Sequence, residues 1–103
     1  MKKILIVENK KSDQEMIRQH FQNSFSQFDA ADSGENAFYL INKNDYDLIV
    51  ISNDLPDLNG IWIVQHLKKR LETDIILTSH FNHELVEKQA RKLNVGFLKK
   101  PIK

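Results

Sequence analysis

The chain has 103 residues, enough for one domain with a single core and little to spare. Fifteen Lys and Arg against fourteen Asp and Glu leave a net charge of +1, which excludes a broad electrostatic footprint for nucleic acid or an anionic membrane. The absence of cysteine excludes disulfides and thiolate chemistry, and it fits a cytoplasmic setting.

The first element follows directly from the N-terminal residues MKKILIVEN. Their apolar run, Ile4 to Val7, is too short for a signal peptide, and no later run reaches membrane-spanning length. It reads instead as a strand buried on both faces. Ser12-Asp13-Gln14-Glu15 reads as a capping box with Ser12 at the N-cap, predicting a helix that carries Met16, Ile17, His20 and Phe21. Phe28 to Ala31 is a weak second strand, and Ser33 caps a short helix with Ala37, Phe38, Leu40 and Ile41 on one side. Leu48 to Ile51 is the third strand. Val64, Leu67 and Leu71 are spaced as the buried seam of a third helix. That seam turns Trp62 toward solvent as a candidate interface anchor; partial packing against the neighbouring helix is the alternative. Ile75 to Leu77 is a fourth strand, Leu85, Val86, Ala90 and Leu93 mark a fourth helix, and Val95 to Leu98 is a fifth strand. Such βα alternation predicts a parallel sheet with right-handed crossovers, whose working residues gather at the carboxyl ends of the strands.

Those strand ends carry Glu8-Asn9, Ser52, Thr78-Ser79 and Lys100-Pro101. Taken with KKILIVEN, ADSGENA, DLIVISNDLPDLNG, ILTS and FLKKPI, the whole chain resembles the receiver domain of bacterial two-component response regulators. The resemblance implies a flavodoxin-like α/β sandwich, a five-stranded parallel sheet of order 2-1-3-4-5 with helices on both faces. Residues 1–103 form one receiver-like domain in this reading, with the family's fifth helix missing after the last strand. An uncovered apolar patch near the first and fifth strands is expected to be met by a dimer, a swapped element or a longer chain.

The resemblance also implies site roles. Active receivers take a phosphoryl group from a histidine kinase on an aspartate that ends the third strand. Two acidic residues after the first strand hold Mg²⁺ with that aspartate. Residue by residue, Thr78 matches the pocket hydroxyl, Lys100 the pocket lysine and Phe97 the aromatic that changes rotamer. Pro101 matches the proline preceded by a cis bond. The departures fall on the chemistry: Ser52 stands at the phosphoacceptor position, and the acidic pair has become Glu8-Asn9. A carboxylate is already ionised at neutral pH, whereas a serine hydroxyl needs a base to activate it. With Glu8 as the only acid left in the pocket, no cofactor is expected, not even the Mg²⁺ of active receivers. Lys100 is expected to lie near Glu8 in a solvent-accessible pair that balances the pocket instead.

The reading is a degenerate receiver: a non-enzymatic signalling domain that has lost aspartyl phosphorylation. It would act on a protein partner, not on nucleic acid or a membrane. One alternative is an active receiver whose acceptor has moved to Asp54, a residue expected at the pocket mouth. Another is a small flavodoxin-like enzyme or ligand binder, against which stands the lack of glycine in ENKKSD. His80-x-x-His83 reads as a solvated loop, not a metal pair.

Overall fold

A computed structural model describes residues 2–102. Nine elements alternate along the chain: β1 (Lys3–Val7), α1 (Lys11–Phe21), β2 (Gln27–Ala31), α2 (Gly34–Lys43), β3 (Leu48–Ser52), α3 (Gly60–Lys68), β4 (Asp74–Ser79), α4 (His83–Lys92) and β5 (Gly96–Lys99). The five strands are all parallel in the order β2-β1-β3-β4-β5, as expected. Side-chain alternation sends Leu5, Val7, Ile49, Ile51, Ile75 and Leu77 to one face, where α2, α3 and α4 cover them. Ile4, Ile6, Leu48 and Val50 pack on the other face with Ile17 of α1 and Ile102. Among the described residues α1 is the only helix on that face. The open part of it lies over β4 and β5, where Ile76 and Leu98 are partly buried. The expected gap beside β1 is closed, because α1 and Ile102 bury Ile4 and Ile6.

Local chemistry explains most element boundaries. Ser33 Oγ accepts the Asn36 N–H and caps α2 as expected. The Asn59 carboxamide accepts from Ile61 and Trp62 to start α3. A Cβ on Gly60 would run into the Ser52 carbonyl and Asn53 Cα, so the loop after β3 can return this closely only through glycine. The chain leaves α4 by a Schellman turn: Val95 N–H donates to Ala90 O and Asn94 N–H to Arg91 O, with Asn94 left-handed at φ 59°.

Three expectations are corrected. The capping box at Ser12 does not form, because α1 begins at Lys11 with Lys10 at its N-cap and no side-chain cap. Its buried stripe is Asp13 and Ile17, while His20 faces solvent. Leu71 lies beyond the end of α3, whose inward residues are Ile63, Val64 and Leu67. Leu85 is 58% exposed, since the buried stripe of α4 runs through Val86 and Ala90, one residue further round.

Candidate functional site

The ends of four strands, β1, β3, β4 and β5, meet at the carboxyl edge of the sheet. Ser52 closes β3 beside Thr78 of β4, and adjacent in-register positions put both side chains on one face. Lys100 follows β5, tied by its N–H to the Ser79 carbonyl, and the Lys100–Pro101 peptide bond is cis. Glu8 follows β1 with its N–H on the Ala31 carbonyl. Its Oε2 accepts from Lys10 N–H, and its carbonyl accepts from the Gln14 side chain.

The Lys100 ammonium stands at the centre. It donates to Glu8 Oε1 at 2.5 Å and to Ser52 Oγ at 2.9 Å. The expected Lys100–Glu8 contact therefore forms, but not at the surface: each side chain is only 1% exposed. Two further carboxylates approach the same ammonium, Asp13 Oδ2 at 3.8 Å and Asp54 Oδ2 at 3.9 Å. The expectation of a single acid in the pocket is thus overturned. Three carboxylates surround one ammonium, so the pocket's fixed groups are predominantly acidic. Asp54 does sit at the mouth as expected, with its side chain 31% exposed.

Ser52 Oγ accepts a second hydrogen bond, from Asp54 N–H at 3.0 Å. With the Lys100 bond, both of its lone pairs are engaged. A hydroxyl in that state is an anchor and a poor nucleophile. Thr78 Oγ1 is buried and has no protein hydrogen-bond partner among the described residues.

Asp13 and His80 are the two pocket residues that the sequence reading missed. His80 Nε2 lies 3.0 Å from Asp13 Oδ2, and His80 N–H donates to Asp54 Oδ2 at 3.2 Å. The loop after β4 is thereby joined both to α1 and to the loop after β3. Ser79 Oγ folds the same loop on itself, donating to Phe81 O and accepting from Phe81 N–H. The sequence signal for Asp13 is a carboxylate four residues before Ile17 on the apolar stripe of α1. His80 and His83 do not converge, since His83 lies against the Phe97 ring, 6.5 Å between centroids. Phe97 is partly buried against the α4-side core, and Pro101 and Asn9 are exposed.

Mg²⁺ prefers near-octahedral oxygens at about 2.0–2.1 Å. Here Glu8 Oε1 and Ser52 Oγ both receive the Lys100 ammonium, and Asn9 supplies no charge. Among the described residues no three His, Asp or Glu side chains are arranged to hold a metal ion. In this arrangement the Lys100 ammonium takes the oxygens of Glu8 and Ser52 that would face the ion the resemblance implies.

The fold and the strand-end constellation define a receiver-type domain. The family model "Response regulator receiver domain" matches residues 4–103, and the chain belongs to that family. The transcriptional regulatory protein HprR of Escherichia coli is 33% identical over 104 residues, covering 97% of this chain and 45% of HprR. CusR of the same organism is 39% identical over 66 residues, covering 64% of this chain and 29% of CusR. The chain therefore spans less than half the length of these relatives. Among solved structures, a CheY-like receiver domain from Methylobacillus flagellatus superposes with a TM-score of 0.85 at 27% identity, covering 100% of this chain and 89% of that one. The receiver domain of Francisella response regulator 1452 gives 0.86 at 28% identity, covering 100% and 87%. The chain is thus a receiver domain of two-component signalling, and none of its helices among the described residues is long and apolar enough to cross a membrane.

Proposed function

We propose that this receiver domain signals through protein contacts without aspartyl phosphorylation, its pocket held in one state by its own lysine. The observation that carries the reading is the Lys100 ammonium seated between Glu8 Oε1 and Ser52 Oγ. The strand end offers a doubly hydrogen-bonded hydroxyl where a nucleophilic carboxylate would be needed, and the cation is already inside. Phosphoryl transfer relies on positioning and charge neutralisation around a competent nucleophile. Ser52 offers a cation beside it but no ionised nucleophile. No metal is needed in this reading, and Thr78, Phe97 and Pro101 keep structural roles. The setting is cytoplasmic, and the names of HprR and CusR support an output in gene control.

One observation favours a second reading. Asp54 is a partly exposed carboxylate within 3.9 Å of Lys100, so an acceptor displaced by two residues has a lysine beside it. Incubation with acetyl phosphate and Mg²⁺, followed by intact mass and peptide mapping, separates the two. The proposed function predicts no phosphoryl adduct. An acid-labile adduct on Asp54 would establish the displaced acceptor, and an acid-stable adduct on Ser52 would contradict both readings.

A further inference from the structure

The loop between β4 and α4 is fastened to the rest of the domain by one residue. His80 Nε2 lies 3.0 Å from Asp13 Oδ2 on α1, and His80 N–H donates to Asp54 Oδ2 in the loop after β3 at 3.2 Å. Phe81 bonds only within its own turn, to Ser79 Oγ, and its side chain is exposed. Asn82 starts α4 from a left-handed backbone at φ 54° with no side-chain cap. Among the described residues, then, His80 makes the hydrogen bonds that tie residues 80–82 to distant parts of the fold, and both acceptors are carboxylates.

The ring is placed to feel protons. The His80 side chain is 25% exposed, open enough for exchange with solvent, while Asp13 beneath it is only 10% exposed. The charged groups around the ring come from several elements: Asp13 of α1, Asp54 after β3, and Lys100 after β5 with Glu8 behind it. Lys10 and Lys11 at the start of α1 and Glu84 at the start of α4 are exposed to solvent, and His83 is turned to the Phe97 ring. Lys100 stands 3.8 Å from the same Asp13 oxygen but has Glu8 and Ser52 as nearer partners, so a second cation at Asp13 need not displace it. A neutral imidazole can hold its proton on either nitrogen, and with the proton on Nδ1 it turns a lone pair toward Asp13 and makes no bond. An imidazolium always presents a donor there, and its bond to a carboxylate is about twice as strong as a neutral one.

We propose that His80 is a proton-operated latch. In its charged form it clasps Asp13 and holds the loop after β4, with Phe81 on it, against the pocket. In its neutral form it lets the loop open. Histidine is the side chain that ordinarily changes charge between about pH 5 and 8, so the latch tightens as pH falls through that window. The input is a proton, so this device goes beyond the function proposed above and works whether or not the pocket accepts a phosphoryl group.

The test is an NMR titration of the intact chain from about pH 8 to about pH 5.5, the span in which histidine changes charge. It follows the His80 ring signal together with amide exchange, corrected for the intrinsic effect of pH. Protection at Phe81 and Asn82 should rise by about fivefold toward the acid end, the difference between a charged and a neutral hydrogen bond, and should follow the His80 ring curve. His20, His66 and His83 serve as internal comparisons, since only His80 should share that curve. His80→Gln should abolish the pH dependence. Asp13→Asn keeps a hydrogen-bonding side chain but no charge, so it should flatten the pH dependence while the β3 amides stay protected; a purely structural contact would leave the slope unchanged. Phe81 and Asn82 amides that ignore the His80 curve, follow His83 instead, or lose protection as pH falls would overturn the proposal. The wild-type curves decide this even where a variant folds poorly.

Discussion

The Ser52 pocket and the α2–α3 seam solve opposite problems with opposite chemistry. In the pocket, charged groups are buried and satisfy one another: Lys100 is shared by Glu8, Ser52, Asp13 and Asp54. At the seam of α2 and α3, the rings of Phe38, Trp62 and His66 are held by one another while Trp62 stays half open to solvent. Removing charges from water stabilises a fold only when the pairing is close and complete, so the pocket has few alternative arrangements. A surface with a fixed, half-open aromatic ring has unmet contacts to offer. The first region is built for conformational fixity, and the second leaves an aromatic surface open.

The sharpest way to break this contrast is to remove the central cation. Lys100→Met would leave Glu8 buried beside Asp13 without a counter-charge, at a cost of about 3–5 kcal/mol in denaturant-measured stability. Glu8→Gln should cost less, because Asp13 and Asp54 still neighbour the ammonium. Equal, small losses for both would mean that the pair is solvated.

A smaller effect should follow from opening the link between α1 and the loop after β4. Asp13→Ala or His80→Ala removes the 3.0 Å contact and should cost about 1.5 kcal/mol. Amide exchange should rise at Phe81 and Asn82, where the backbone is already left-handed at φ 54°, while the β3 amides stay protected. Uniform exchange throughout the sheet would show that Asp13 supports the whole pocket instead.

The smallest effect concerns Asp57, the carboxylate that ties the loop after β3 to the start of α2. Gly34 N–H at 2.8 Å and Glu35 N–H at 3.0 Å donate to it and hold its carboxyl below the ordinary 3.8. Its folded form prefers to be charged, so its contribution is present above pH 3.8 and is lost as pH falls through the depressed folded value. In Asp57→Asn, order in the α2 N-terminus should no longer depend on pH in that acid window, as read from amide shifts of Gly34 and Glu35. An unchanged acid titration in the variant would remove Asp57 from this role.

What could be read in the sequence divides along physical lines. The strands of the sheet interior were legible because a strand buried on both faces must be apolar throughout, as Ile4 to Val7 and Leu48 to Ile51 are. Ser33 was legible because a cap acts over three residues. Glu8, Ser52, Thr78 and Lys100 could be placed because each lies at or just past the carboxyl end of a strand. Asp13 and His80 could not, since their pairing spans 67 residues and depends on how α1 is rotated. A capping box at Ser12 gives Asp13 no role of its own, whereas α1 turns it inward on the stripe of Ile17. Burial of the Lys100–Glu8 pair was missed for a related reason: it requires loops from three strands to close over it, and no local pattern encodes that.

The central claim is that Lys100 is the resident cation of the pocket, and the most direct measurement is of its ammonium group. A buried ammonium hydrogen-bonded to Glu8 and Ser52 should give a slowly exchanging ¹⁵Nζ–¹Hζ signal at neutral pH, distinct from those of the exposed lysines. The account predicts that this signal persists, unshifted, through titration with millimolar Mg²⁺ and then beryllofluoride. Loss of the signal, or saturable shifts at Glu8, Ser52 and Lys100 on adding Mg²⁺, would contradict it and return the pocket to metal-dependent chemistry.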